Sequence, residues 1–139
     1  MILGAITHPE LLAALANAGH TSKVLVADGH YPIAQSVSSR TTQVHLNFAP
    51  GSLTVTQVLK GLRDTVVLEA AVASFDADGS SPAVWQELTT ALPPHLQIEG
   101  VDTQDFLRLA SSDDVAVAIA TGDVRSNTCV LLTIGVRHE

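Results

Sequence analysis

Lys23-Val-Leu-Val-Ala27, stopping on Asp28-Gly29, is a short apolar run that ends in turn chemistry, the signature of a strand buried on both faces. Upstream, Pro9 suits a first helical turn because its missing N–H has no partner there in any case. Leu11, Leu12 and Leu15 recur at helical spacing to about Asn17, and Gly19 is placed to end that helix. His20 follows directly. The stretch therefore reads helix, turn, buried strand, turn, with Asp28, His30, Tyr31 and Pro32 just past the strand.

The same alternation runs outward to the C-terminus. Residues 35–43 are rich in Ser, Thr and Gln and read as a loop or edge segment, and Val44–Phe48 alternates as a half-buried strand. Val55, Val58, Leu59 and Leu62 form a helix face, and Val66–Ala73 is a second buried run, interrupted by Glu69. Pro82 opens a helix carrying Trp85, Leu88 and Leu92, which Pro93-Pro94 stops. Leu96–Val101 reads as a strand and Asp102 as the cap of a helix reaching about Ala110. Val115–Ala120 and Val130–Val136 complete the set, joined by residues 121–127. No repeat or long linker divides the 139 residues. The expectation is one α/β domain over residues 1–139, three layers deep, its central sheet flanked by helices.

Composition narrows the function. The net charge of −7 and seven scattered Lys and Arg argue against nucleic acid and anionic membrane as partners. Charged residues make up only 15% against 46% hydrophobic, which suits a surface partly covered by further copies of the chain. One cysteine, Cys129, allows no internal disulfide. There is no basic-then-apolar leader pattern and no run near the ~20 apolar residues that span a bilayer. A cytoplasmic protein is expected.

Chemistry centres on the histidines. An imidazole both accepts and donates protons near neutral pH, and sites gather outside the carboxyl ends of strands in open α/β sheets. His20, Asp28 and His30 are the candidates. His20 could equally serve the negative end of a helix dipole, Asp28-Gly29 could be a plain turn, and His30 a packed turn residue. A metal held by His20, Asp28 and His30 is conceivable, but HExxH and CxxC are absent, as are the GxSxG, GxGxxG and GxxxxGK[ST] motifs. Glu69, in an apolar run, needs a partner such as Arg63 or Arg125, a cavity, or a wet edge.

Ala18-Gly-His-Thr21, Val24-Leu-Val-Ala-Asp28 and Pro32-Ile33 resemble the opening of the ribose pyranase / fucose mutarotase family (RbsD/FucU). Asp28-Gly-His-Tyr-Pro32 is similar to its fucose-type turn, and Thr56-Gln-Val-Leu59 and Leu68-Glu-Ala-Ala71 to its ribose-type pattern. Thr121-Gly-Asp123, Leu131-Leu132 and Gly135-Val136 resemble its C-terminal segment. The resemblance implies a cytoplasmic, cofactor-independent isomerase that opens and recloses the ring of a free monosaccharide such as ribose or fucose. It also implies a ring-shaped homo-oligomer, typically a decamer, with sites between neighbouring subunits. His20 matches the proton donor and Asp28 a sugar-binding carboxylate. Asp105 falls where the family carries His or Arg, and Asn127-Thr-Cys129 where it carries Tyr-x-Asn. His30, Asp105, Asn127 and Cys129 are thus the remaining substrate-binding candidates. A non-catalytic sugar-binding or regulatory oligomer of the same fold is the alternative.

Overall fold

A computed structural model describes residues 1–139. The elements in chain order are α1 (Pro9–Asn17), β1 (Lys23–Ala27), α2 (Ile33–Ser36), β2 (Thr42–His45), α3 (Val55–Arg63), β3 (Leu68–Ser74), α4 (Trp85–Ala91), β4 (Ile98–Val101), α5 (Thr103–Ala110), β5 (Val115–Ala120) and β6 (Val130–Ile134). The strands form one six-stranded sheet in the order β2-β5-β1-β6-β3-β4. β1 and β2 both pair parallel with β5, and β3 pairs parallel with β4, while β6 is antiparallel to both β1 and β3. Five strands therefore point one way and β6 alone runs back.

Alternation along β1 explains the layering. Val24 and Val26 join the larger core with Leu11 and Leu15 of α1, Val58, Leu59 and Leu62 of α3, and Leu88 of α4. Leu25 and Ala27, on the other face, join Ile33 of α2 and Phe106 and Ala110 of α5. Both faces are covered, and all four residues are fully buried. At roughly 1.5–3 kcal/mol per fully buried Val or Leu side chain, these two cores are the main stabilising term.

Helix α3 starts on a capping box in which Thr54 Oγ1 accepts from Gln57 N at 3.2 Å and Gln57 Oε1 accepts from Thr54 N at 2.9 Å.

Several boundaries differ from the sequence expectation. The second strand lies over Thr42–His45 rather than Val44–Phe48, because the chain leaves the sheet after Leu46 to fold over Gly122. There Gly51 N donates to Gly122 O at 2.6 Å and Gly122 N to Leu53 O at 3.0 Å, leaving Phe48 85% exposed. A Cβ on Gly122 would stand 2.1 Å from Ser52 O, so only glycine admits this crossing. A one-turn helix, α2, occupies the start of the polar stretch read as loop or edge, and β2 is indeed an edge strand. β3 and β4 start about two residues later than expected, at Leu68 and Ile98, and β6 ends two earlier, at Ile134.

Candidate active site

The direction of the strands decides which side chains can meet. The carboxyl ends of β1, β3 and β4 share one edge with the amino end of β6, which brings Asp28, Ser74, Thr103 and Cys129 together. They line a hollow of about 220 Å³ with His30, Tyr31, Phe106 and Asn127. Asp28 is 5% exposed and fully engaged, Oδ1 accepting from His30 N at 3.0 Å and Oδ2 from Thr128 N at 3.0 Å. Its own N–H points at Cys129 Sγ, 3.3 Å away. One carboxylate thus ties the loop after β1 to the loop before β6. Burial, and next the neighbouring Asp28 carboxylate, push the Cys129 thiol well above the ordinary thiol range.

The other candidates are placed unequally. His30 Nε2–H donates to Val124 O at 2.9 Å, so its ring bridges the hollow and an adjoining cleft lined by Phe48, Thr121 and Asp123. Asn127 sits in the left-handed region (φ 56°), which asparagine tolerates. Its amide is spent internally, Nδ2 donating to Asp76 Oδ1 at 2.9 Å and Oδ1 accepting from Ser74 Oγ at 3.1 Å. Asp105 is not among the lining residues. It follows Asp102, whose Oδ1 accepts from Asp105 N at 2.8 Å, and its carboxylate accepts from Arg108 Nη2 at 2.9 Å. Two helical positions from Thr103, it faces away, since residues two apart lie on different sides of a helix.

Three hydroxyl-bearing lining residues, Tyr31, Ser74 and Thr103, went unrecognised in the sequence. Tyr31 packs edge-on against Phe106 (6.4 Å, 86°), and its buried hydroxyl has no partner. Burial, with Cys129 nearby, pushes that phenol up to about 12. Thr103 Oγ1 has only a 3.4 Å contact with Ser74 Oγ. Tyr31 and Thr103 are therefore the hydroxyls with the most unused hydrogen-bonding capacity. Position was the available signal, because each of these residues is the last of a strand or lies within four residues of a strand's carboxyl end.

His20 stands on the opposite edge. The five residues of β1, about 16 Å of strand at ~3.3 Å each, lie between it and Asp28, so the two do not meet within one chain. Its Nε2 is 3.1 Å from both carboxylate oxygens of Glu69, and both side chains are about half exposed. Glu69 thus finds a histidine where the sequence suggested Arg63 or Arg125. Arg63 pairs instead with Asp64 at 3.1 Å, and Arg125 with Asp123 and Glu87 at 2.8 Å. β3 is an inner strand and not the wet edge strand offered as one alternative, but β4 pairs with it only from Ala71 onward, which leaves Glu69 about half exposed. No three His, Cys, Asp or Glu side chains converge as a metal site, and His20, Asp28 and His30 in particular do not.

Asp123 organises the loop after β5. Burial alone would raise its carboxyl, but the Arg125 guanidinium and the amides of Val55 and Arg125 hold it below the usual carboxylate range.

A three-layer α/β domain with a polar hollow at the carboxyl edge of its sheet and a histidine–carboxylate pair at the other edge is the class defined here. The chain belongs to the RbsD / FucU family, and the model described as the RbsD / FucU transport protein family matches residues 1–137. It is 30% identical over 138 residues to D-ribose pyranase 1 of Rubrobacter xylanophilus, covering 96% of each chain. It is 33% identical over 131 residues to D-ribose pyranase of Streptomyces avermitilis, covering 94% of this chain and 95% of that one. The fold matches Bacillus subtilis RbsD complexed with D-ribose at a TM-score of 0.84 and 23% identity, over 99% of this chain and 100% of that one. It also matches the fucose mutarotase of Streptococcus pneumoniae in complex with L-fucose at 0.79 and 18%, over 94% of each. No helix is long and apolar enough to cross a membrane.

Proposed function

We propose that the chain is a cofactor-independent isomerase that interconverts the cyclic forms of a free monosaccharide, pyranose with furanose or one anomer with the other. The observation that carries this is alignment along nearly the whole chain with relatives named D-ribose pyranase at 30% and 33% identity. The hollow suits it, since it is lined by Thr103, an exposed hydroxyl little used within the chain and of the kind that exchanges hydrogen bonds with a sugar.

His20 is the acid–base group. The imidazole takes the anomeric proton, the C1–O ring bond breaks as the C1=O bond forms, and the ring oxygen receives the proton back. Rotation or attack by another hydroxyl recloses the ring. Proton transfer of this kind contributes roughly 10²–10⁴-fold. Because His20 and the hollow occupy opposite edges of one subunit, the working site combines His20 of one copy with the hollow of the next, in a closed ring such as a decamer. Asp28 acts in this reading by shaping the loops around the sugar, beside any direct contact. With a single free cysteine, the chain suits the cytoplasm.

Magnetisation transfer between sugar forms, measured by NMR across ribose, fucose, galactose and related sugars, tests this. Exchange should appear for at least one sugar and vanish in a folded His20→Ala variant. Thermal protection by a sugar with no exchange would establish the alternative, a sugar-binding module. That second reading draws support from the internal commitment of Asn127 and Cys129.

A further inference from the structure

Three local irregularities converge on the His20–Glu69 pair. Thr21 adopts a left-handed backbone (φ 73°), uncommon for a β-branched residue, while its N–H donates to Ile134 O at 3.0 Å. That turn fixes the course of the chain at His20. In the β3–β6 ladder, Leu68 pairs with Ile134 and Ala70 with the adjacent Thr133, so Glu69 is the extra residue of a β-bulge. Bulges of this kind re-aim a side chain. Gly135, beside the bulge, leaves room for the acid, since a Cβ there would come within 3.1 Å of Glu69 Cβ and 3.4 Å of its Oε2. A surface ion pair needs none of these devices.

The geometry points to Glu69 as the positioning residue that holds His20 in one tautomer, with Nε2–H donated to the carboxylate and Nδ1 presented as the nitrogen that exchanges protons with substrate. Both Glu69 oxygens lie 3.1 Å from Nε2, and His20 Nδ1 makes no hydrogen bond within the subunit. A neutral imidazole has one donor nitrogen and one acceptor, so engaging Nε2–H leaves the lone pair on Nδ1. Nδ1 then takes the anomeric proton and returns it to the ring oxygen, and Glu69 steadies the ring without itself accepting a proton. The catalytic part of this assignment rests on the proposed isomerase reading, whereas the tautomer does not.

Long-range ¹H–¹⁵N correlation on ¹⁵N-histidine protein at alkaline pH, with His20 assigned by its disappearance in His20→Gln, reads the tautomer directly. Wild type should show a protonated Nε2 and a bare Nδ1. Glu69→Ala should lose that single tautomer and slow sugar exchange at saturating substrate by roughly 10-fold or more, with the half-saturating concentration little moved. Glu69→Gln, whose amide oxygen still accepts from Nε2, should keep the tautomer and recover part of the rate. A protonated Nδ1 in wild type overturns the assignment even if Glu69→Ala fails to fold. A folded Glu69→Ala with unchanged tautomer and rate also overturns it. If wild type exchanges no sugar, the isomerase reading fails, and the tautomer still decides the role of Glu69.

Discussion

Asp28 is a structural residue before it is anything else. Its two oxygens accept from the backbone amides of His30 and Thr128, the second 100 residues on from Asp28 itself. Asp28→Ala would leave both donors unpaired in a buried setting, at about 1–3 kcal/mol for each unsatisfied group. Urea unfolding should therefore show a loss of roughly 2–6 kcal/mol, in the absence of any sugar. Cys129 gives a second check on the same corner. A thiol whose titration is raised by burial and by Asp28 stays protonated at neutral pH, and the thiolate is the reactive form. Alkylation of native protein near pH 7.5 should be far slower than alkylation of the urea-unfolded chain, and it should accelerate as pH rises. Rapid labelling of the folded protein would contradict the burial of Cys129 beside Asp28.

At the scale of elements, the loop between β5 and β6 is held by Asp123, which accepts from the first helical amide of α3 (Val55 N, 3.0 Å) and binds Arg125. Its carboxyl titrates lower in the folded than in the unfolded chain. The stability it adds is therefore present above the ordinary carboxylate value of about 3.9 and is lost as pH falls below it. Unfolding free energy should fall on acidification past about pH 4, and Asp123→Asn should reduce that acid-dependent part while costing stability at pH 7. The elements themselves were largely legible, because β1, β5 and the helix faces of α3 and α5 carry strong periodicity. Strand direction was not. Val130–Ile134 reads the same whichever way it runs, so nothing in it announced the one reversed strand. The bulge at Glu69 was equally silent, being a property of the pairing and not of the residue. In the sequence His20 and Asp28 read together as candidates for one site, yet eight positions apart, with the whole of β1 between them, they stand on opposite edges of the sheet.

For the whole molecule, the separation of His20 from the hollow gives a decisive mixing experiment. His20→Ala subunits keep an intact hollow and Asp28→Asn subunits keep an intact histidine. If sites are shared head to tail, each variant alone should be inactive, while a co-refolded equimolar mixture should recover about a quarter of wild-type exchange, the chance that both halves of a site are intact. No recovery from properly assembled mixtures would place the whole site in one subunit. Exposed Met1, Leu3 and Phe48 supply apolar surface for such contacts. Sharing also has an arithmetic consequence. An open row of subunits would leave a histidine idle at one end and an empty cup at the other, owning one working centre fewer than its members. Closing the row removes that deficit, so a lesion at a single junction would silence one centre and spare the rest.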